Sequence, residues 1–392
     1  MTRYLLTGIA ALASALIGCG AHAEDTVKIG LILPYSGQFA DTATQMDDGF
    51  KLYLKQHGDK LGGKNVEIVR KDVGGINPPV AKRLAQELVT RDNVDILAGF
   101  ALTPNALAAA DVSAEARKFM VVLNAATAIV TTKSPYMARV SFTAPQLNQT
   151  LGTWAEQNGL KKAYTMVTDY GPGIDAEAAF QKGFKEAGGD IVGSVRMAVQ
   201  NPDFTAYVQR AKDLDPPGIF IMIPGGAQPG AFGKALAERG IDPQKTEIMG
   251  QLELTDEHAL ASIGDLAIGM ITAGHYDYNH HSKLNEEFVK AYKADFERNP
   301  DFFSLDGYDG AHLIDLALQK SGGKTDGESL INGAKGASWE SPRGPISIDP
   351  ETRDIIQTVY IRKVEKRDGY LVNVEIAAIP NVKDPYKAAM TK

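Results

Sequence analysis

The chain has 392 residues, a formal net charge of −7 at pH 7 and one cysteine. Charges of both signs are interspersed and no basic block occurs, which excludes a nucleic-acid footprint and indicates a freely soluble protein. A chain of this length can bury ample apolar surface in two domains without disulfides.

Residues 1–23 have the pattern of a secretory signal peptide. Arg3 precedes an apolar run from Leu5 to Ile17, and small residues ending in Ala21-His22-Ala23 follow it. The run is too short for a membrane span, and the A-x-A pattern predicts cleavage before Glu24. The segment Leu16-Ile17-Gly18-Cys19 leaves an alternative open, in which Cys19 is lipidated. Both interpretations predict export, and we expect a periplasmic protein.

Apolar strands and amphipathic helices alternate from residue 27 to about residue 123. The strands are predicted at Val27–Leu33, Val66–Arg70, Ile96–Ala98 and Met120–Leu123. The helices are predicted at Asp41–Gln56, Val80–Thr90 and Asn105–Lys118. Near-continuous apolar strands separated by amphipathic helices indicate a parallel sheet that is covered on both faces.

The same pattern restarts after residues 139–143. Strands are predicted at Ala163–Val167, Ile191–Val195 and Ile219–Ile223, and helices at Gln146–Gln157, Asp175–Ala187, Phe204–Lys212 and Gly230–Glu238. One sheet of this length would be unusual, so the pattern favours an α/β protein with two doubly wound lobes.

The last third adds helices and strands without forming a third domain. Helices are predicted at Ser282–Arg298 and Asp309–Gln319, and strands at Gly344–Ile348, Thr358–Val364 and Leu371–Ile376. We assign residues 24–142 plus 275–340 to lobe 1, and residues 143–274 plus 341–392 to lobe 2. The chain then crosses between the lobes three times, which makes a three-strand hinge suited to ligand-driven closure.

Two short apolar runs end in small residues and a threonine, at Gly99–Thr103 and Asn124–Thr127. Thr103 is predicted as a helix N-cap, with Pro104 in the first turn and the free amides of Asn105 and Ala106 at the helix start. The carboxyl ends of neighbouring parallel strands meet at the edge where open α/β sheets bind ligands. The spacing predicts an anion site, although an ordinary capped helix beside an ordinary turn fits it equally well.

These turns, together with Leu31-Ile32-Leu33-Pro34-Tyr35-Ser36-Gly37 and Asp169-Tyr170-Gly171, resemble the type I periplasmic binding proteins of the Leu/Ile/Val-binding family. The resemblance covers essentially the whole chain after the signal. It implies two Rossmann-like lobes with a small ligand held between them and no chemistry. It also implies an ABC importer as partner, with membrane permease subunits and cytoplasmic ATPases.

The resemblance assigns the ligand's carboxylate to Thr103, to the backbone of Ala125, and to the hydroxyl and amide of Thr127. The apolar and aromatic walls are assigned in the same way to Leu102, Tyr170 and Phe303. Tyr170 would close over the ligand from the second lobe, and Phe303 would lie just before a helix of the first lobe.

Three positions depart from the amino-acid-binding pattern of this family. Thr42 stands where the family usually has an aromatic residue. The segment Pro224-Gly225-Gly226-Ala227 stands where it usually has a second one. The acid that would pair with a ligand ammonium falls on Leu252 in register or on Glu253 one residue later. A buried ammonium without a carboxylate partner is costly, so these departures weigh against an α-amino acid.

Other segments look like relatives that bind aromatic carboxylates, namely 169–175, 341–344 and 347–353. A pocket widened at Gly225 and Gly226 suits a planar ring. We therefore expect a small carboxylate, aromatic acid or amino acid, and the chemistry of its far end stays open.

A glycine-rich segment and three histidines could suggest a nucleotide site and a metal site, but each has a simpler interpretation. Gly171-Pro172-Gly173 lacks the third glycine of a dinucleotide loop and is expected to be a turn. His275, His280 and His281 lack a carboxylate or cysteine at ligand spacing and are expected to be solvated loop residues.

We expect no cofactor and no metal, and a monomer. A sensor that serves a chemoreceptor or kinase, and a periplasmic α/β enzyme, are the alternative functions.

Overall fold

Two α/β lobes make up the computed structural model, which describes residues 26–390. The predicted signal peptide, with Cys19, lies outside the described residues. None of the helices between Thr26 and Met390 is long and apolar enough to cross a membrane.

The first sheet has six strands in the order β2-β3-β1-β4-β5-β6, and all but β2 run parallel. Its strands are β1 (Thr26–Leu33), β2 (Lys60–Leu61), β3 (Lys64–Asp72), β4 (Ile96–Gly99), β5 (Phe119–Val122) and β6 (Met137–Arg139). Its helices are α1 (Ala40–Gln56), α2 (Pro78–Thr90), α3 (Thr103–Ala116), α9 (Lys283–Phe296), α10 (Phe302–Lys320) and α11 (Gly327–Ala334).

The first sheet is covered on both faces because successive residues of its strands point to opposite sides. Ile29 and Leu31 of β1 pack in the core that contains α1 and α10, whereas Ile32 packs in the core that contains Leu88 of α2. The near-continuous apolar strands of the sequence follow from this double coverage.

The second sheet has nine strands, in the order β12-β13-β14-β11-β10-β9-β7-β8, with β15 paired to β14. Its strands are β7 (Lys162–Thr168), β8 (Asp190–Met197), β9 (Gly218–Met222), β10 (Glu247–Gln251), β11 (Ile271–Gly274), β12 (Ser338–Ser341), β13 (Gly344–Ile348), β14 (Ile355–Arg367) and β15 (Tyr370–Val382). Its helices are α4 (Ala144–Gln157), α5 (Gly171–Ala187), α6 (Phe204–Leu214), α7 (Gln228–Arg239), α8 (Glu257–Ile263) and α12 (Pro385–Met390).

The chain crosses between the sheets at residues 140–143, 275–282 and 335–337, which agrees with the predicted hinge. Strand β12 pairs with β13, so residues 338–340, predicted in lobe 1, belong to the second sheet. The loop before β14 also reaches the first lobe, because Arg353 donates to the carbonyl of Met137 at 3.0 Å. The other lobe boundaries stay a prediction.

Some elements differ from their predicted bounds for local reasons. Helix α10 begins at Phe302 rather than Asp309, because Asp301 and Ser304 form a capping box with bonds of 3.0 and 2.8 Å. Strands β6, β10, β11 and β12 were not predicted. Each has only three to five residues and contains a polar or charged side chain, unlike the short apolar runs of β4 and β5.

The buried guanidinium of Arg343 joins the three parts that meet at the hinge. It donates to Asp309 Oδ2 of α10 at 2.6 Å, to the carbonyl of Val140 in the first crossing at 2.8 Å, and to Gln357 of β14 at 2.9 Å. Only 2% of Arg343 is exposed. Its planar fork of donors can therefore hold two lobes and a crossing in one geometry.

A second buried ion pair ties the loop before β14 to the first lobe. Arg139 donates to Asp354 at 2.7 and 3.0 Å, and both side chains are almost fully buried. The ammonium of Lys387 also contacts Asp354. Removing the aspartate would leave two buried cations without their shared carboxylate.

We predict that Asp354→Asn lowers the free energy of unfolding by about 3–5 kcal/mol, because it breaks a buried pair on one side. The measurement is chemical denaturation followed by circular dichroism. Asp111→Asn is the control, since Asp111 pairs with Lys82 on the surface and its loss should leave the midpoint nearly unchanged. Equal effects of the two variants would contradict the prediction.

Candidate functional site

A narrow cavity lies between the lobes, where the carboxyl ends of the two sheets face each other. From the first lobe it is lined by Phe39, Thr42, Ala101, Leu102, Thr103, Asn124, Ala126 and Phe303. From the second lobe it is lined by Tyr170, Pro172, Met222, Pro224, Gly225 and Glu253. The edge of the sheets predicted from the two threonine turns is therefore where the cavity lies.

Thr103 and Thr127 lie together, as expected if their strands are neighbours. The hydroxyl oxygen of Thr103 accepts from the Thr127 amide at 3.3 Å and from the Thr127 hydroxyl at 3.1 Å. Both residues are buried. Since Thr103 accepts both bonds, its own hydroxyl hydrogen is left to donate to a ligand.

The start of α3 differs from the prediction. Leu102 is the N-cap, with extended dihedral angles, and Thr103 is the first helical residue. The amides of Asn105 and Ala106 both donate to the carbonyl of Leu102, at 3.1 Å each, so they are not free. The prediction failed because the Thr103 side chain bonds to Thr127 instead of capping its own helix.

Two helix N-termini from opposite lobes meet at the threonine pair. Helix α3 begins at Thr103, and α5 begins at Gly171, where an added Cβ would lie 2.6 Å from the Thr127 hydroxyl oxygen. Each helix carries a proline in its first turn. The positive ends of both helix dipoles therefore favour an anion at this end of the cavity.

Ala125 does not have the role that was predicted for it. Its amide donates to the carbonyl of Phe100 at 3.0 Å, and its carbonyl accepts from Arg139 at 2.6 Å. Both backbone groups are therefore already bonded away from the cavity. Ala126, the next residue, lines the cavity instead.

Aromatic rings form two walls of the cavity. Phe303 lines it from α10, inside the helix rather than before it, and its ring lies 3.9 Å from that of Phe302. Thr42 also lines the cavity, and its hydroxyl donates to the carbonyl of Phe39 at 2.7 Å. Phe39, three residues before Thr42 and directly before α1, supplies an aromatic ring to the cavity. The sequence analysis did not assign it to the site.

Tyr170 lines the cavity from the second lobe, directly before α5. Burial raises the pKa of its hydroxyl far above the ordinary value, and the charge of Glu253 raises it further. The hydroxyl therefore keeps its proton and can act as a donor toward a ligand.

The two glycines of the 224–227 segment have different surroundings. Gly225 lines the cavity, facing Phe303. Gly226, predicted as a ligand contact, lies outside the lining and against the first lobe instead. Its φ is +82°, and an added Cβ would lie 2.4 Å from the carbonyl oxygen of Gln38. This close approach of backbones across the lobes requires glycine.

Glu253, rather than Leu252, faces the cavity. Leu252 is fully buried in the core, whereas Glu253 lines the cavity with 4% of its surface exposed. Burial raises the pKa of Glu253 to about 7, opposed by hydrogen bonds from its own amide and from Gln251 and by the charge of Arg362. The cavity lining therefore includes a carboxyl group that titrates near neutral pH.

Asn124 is a lining residue that the predicted site omitted, although its motif was recognised. Its side-chain nitrogen donates to the carbonyl of Ala101 at 3.0 Å, and its side-chain oxygen is buried without a hydrogen-bond partner. An unsatisfied buried acceptor is costly, so this oxygen is suited to accept from a ligand.

The three histidines are not alike. His275, predicted to be solvated, is fully buried and bonds to Asp306 at 3.0 Å, and burial lowers its pKa well below the ordinary value. His280 bonds to Glu375 at 2.8 Å, whereas His281 is exposed. Within residues 26–390, no group of three or more His, Cys, Asp or Glu side chains could hold a metal ion.

Residues 26–369 match the family model described as periplasmic binding protein. The match spans most of the chain, so the chain belongs to the periplasmic binding protein family. The two-lobe α/β fold and the resemblance to the Leu/Ile/Val-binding proteins are thereby confirmed.

Individual relatives agree with this assignment. The "Leu/Ile/Val-binding protein homolog 6" of Brucella abortus is 39% identical over 381 residues, covering 96% of this chain and 97% of its own. A solute binding protein of an ABC transporter from Rhodopseudomonas palustris BisB5, solved with 3,4-dihydroxy benzoic acid, is 49% identical with a TM-score of 0.90. It covers 93% of this chain and 100% of its own.

A second solved structure has a related ligand. The solute binding protein of an ABC transporter from R. palustris in complex with 4-hydroxybenzoate is 41% identical, with a TM-score of 0.89. The similarity covers 92% of this chain and 99% of that one.

We predict that Gly226→Ala weakens ligand binding by about tenfold or more, because a side chain against Gln38 raises the energy of the closed lobes. The measurement is isothermal titration calorimetry. Gly240→Ala is the matched control, since Gly240 also has a positive φ, +68°, but nothing lies within 4 Å of an added Cβ. Unchanged affinity in Gly226→Ala would show that closure does not need this contact.

Proposed function

We propose that this protein is the periplasmic solute-binding component of an ABC importer and captures a small aromatic carboxylate between its lobes. One observation carries the proposal: two threonine hydroxyls and two helix N-termini converge beside a cavity with aromatic walls between the lobes. Of the described residues that line this cavity, none is Lys or Arg. The carboxylate is therefore bound by dipoles and hydroxyl donors.

The walls favour a planar ring. Phe39, Phe303 and Tyr170 present aromatic surface to the cavity, and Gly225 leaves space where a side chain would stand. Aromatic pairs add about 0.5–1.5 kcal/mol beyond the burial of their area. The two similar R. palustris proteins were solved with 3,4-dihydroxy benzoic acid and 4-hydroxybenzoate, which supports a benzoate-type ligand here.

An aliphatic amino acid is the second candidate ligand. Glu253 lines the cavity, so a ligand ammonium would find a carboxylate partner. The sequence had left that partner ambiguous. The pKa of Glu253, about 7, means that this partner is only partly ionised at neutral pH before a ligand binds.

The mechanism is a shift in the population of open and closed lobes. A bound ligand that contacts both lobes favours the closed state. The protein also makes cross-lobe contacts of its own, such as the bond of 2.8 Å from the Ala128 amide to Asp175. Closure expels water and strengthens the hydroxyl contacts to the carboxylate.

The remaining parts of the proposal concern the cellular setting. The signal peptide directs export, and the closed, loaded protein delivers its ligand to permease subunits whose ATPases lie in the cytoplasm. The protein does no chemistry on the ligand, so incubation followed by chromatography should recover the ligand unchanged.

We predict that benzoate-type acids raise the melting temperature more than leucine does. Stabilisation follows RT ln(1 + [L]/Kd), which reaches about 4 kcal/mol at a thousandfold excess over Kd. A thermal-shift screen of benzoate, 4-hydroxybenzoate, a hydroxycinnamate and leucine measures this. If only leucine shifts the melting temperature, the aromatic ligand is wrong.

We predict that Thr103→Ala weakens binding of the acid by roughly 1–3 kcal/mol, because a buried carboxylate loses a hydroxyl donor. Calorimetry with the best ligand of the screen measures the loss. Ser113→Ala is the matched control: Ser113 lies on the same helix and forms a buried hydroxyl pair with Ser134 at 2.8 Å, away from the cavity. It should change stability but not affinity.

A further inference from the structure

A chain of buried side chains behind the cavity holds Glu253. Gln251 donates from Nε2 to Glu253 Oε2 at 2.7 Å, and Asn148 donates from Nδ2 to Gln251 Oε1 at 2.9 Å. All three residues are at least 96% buried. Because Gln251 uses its carbonyl oxygen for Asn148, only its amide hydrogens can point at Glu253.

This direction sets the role of each carboxyl oxygen of Glu253. Oε2 faces an amide donor and acts as an acceptor, which favours a proton of the carboxyl group on Oε1. Oε1 is the oxygen that we assign to a ligand. When Glu253 is ionised, Oε1 accepts a hydrogen bond and has none of its own to donate.

The same chain of hydrogen bonds continues to Ala126, another lining residue. Asn148 Nδ2 also donates to the carbonyl of Ala144 at 2.8 Å, and the amide of Ala144 donates to the carbonyl of Ala126 at 2.8 Å. Ala126 lines the cavity beside Thr127. Hydrogen bonds that run through the first crossing therefore fix the position of Glu253 relative to residues 126–127, the segment to which we assign the ligand's carboxylate.

We propose that Gln251 and Asn148 are positioning residues that aim Glu253 at a hydroxyl group on the ring of the bound acid. This inference rests on the proposed function and narrows its ligand to hydroxylated benzoates. A ring hydroxyl donates to Oε1, whereas an unsubstituted ring offers Oε1 no donor and leaves Glu253 with only the bonds made by the protein. One set of hydrogen bonds thus links Glu253, which recognises the ring hydroxyl, to the segment that recognises the acid group.

The charges around Glu253 come from several elements. Arg362 of β14 favours the ionised form of Glu253. Asp256, Asp306 and Tyr170 lie close enough for the charge of Glu253 to raise the pKa of each, so the influence is mutual. With the pKa of Glu253 at about 7, the accepting form gains population as the pH rises through neutrality.

The test is calorimetry of benzoate and 4-hydroxybenzoate from pH 5.5 to 8.5. The wild-type protein should prefer 4-hydroxybenzoate by about 10- to 100-fold at the upper pH, with the preference falling through a midpoint near neutrality. Gln251→Met removes a bond that stabilises the ionised carboxylate, so it should move this midpoint to higher pH. Asn148→Leu should move it in the same direction by a smaller amount.

Two further variants make the result decisive. Gln228→Met is the matched control, since Gln228 is also a buried glutamine of the second lobe but bonds to the carbonyl of Val199 at 2.9 Å; the midpoint should stay in place. Glu253→Gln should abolish the pH dependence of the preference. It decides the matter if Gln251→Met does not fold.

The outcomes separate this inference from the proposed function. Equal affinity for the two acids at every pH overturns the inference and leaves the proposed function standing. A Gln251→Met protein that binds both acids more weakly, with an unmoved midpoint, overturns the positioning role. If neither acid binds the wild-type protein, the proposed ligand class itself is wrong.

Discussion

The placement of the two lobes depends on one buried cation. Arg343 binds Asp309 of the first lobe, Gln357 of the second, and the carbonyls of the first crossing. A buried guanidinium without these acceptors would carry a large desolvation cost, so the crossing, α10 and β14 are held where they satisfy it. The nearby pair of His275 and Asp306 is buried in the same region. The hinge is therefore built around polar contacts that must all be made together.

This hinge brings together the two lobes that line the cavity, and the parts of the lining differ in their chemistry. The threonine end has no cation among its lining residues, and it relies on dipoles and donors that gain strength when water leaves. The lining also carries one carboxyl group, Glu253, whose raised pKa results mainly from burial. Helix N-termini with hydroxyl donors on one side and a titrating carboxyl group on another would suit a ligand that is acidic at one side only.

Much of the fold followed from periodicity. Long elements such as β1 and α1 were predicted to within one residue at each end, because each buries a continuous apolar run or stripe. Helix α5 begins at Gly171 rather than Asp175, so Gly171-Pro172-Gly173, predicted as a turn, forms its first helical turn. The short strands β10 and β11 were not predicted, and α10 was predicted to begin seven residues too late because its capping box was missed. At the site, Thr103, Thr127, Tyr170 and Phe303 lie at or beside the cavity, whereas Ala125 is bonded elsewhere and Phe39 and Asn124 were overlooked.

The sequence by itself determined the fold class, and it predicted the edge of the sheets where the cavity lies and the two threonines that pair at or beside it. These depend on local patterns, namely strand runs, helix starts and turn residues. Only the tertiary structure decided that Glu253 rather than Leu252 faces the cavity, that Gly226 contacts Gln38, and that Gln251 and Asn148 stand behind Glu253. The contacts of Gly226 with Gln38 and of Asn148 with Gln251 join residues more than 100 positions apart, and the direction of the Glu253 side chain depends on a one-residue register. Neither is encoded in a local pattern.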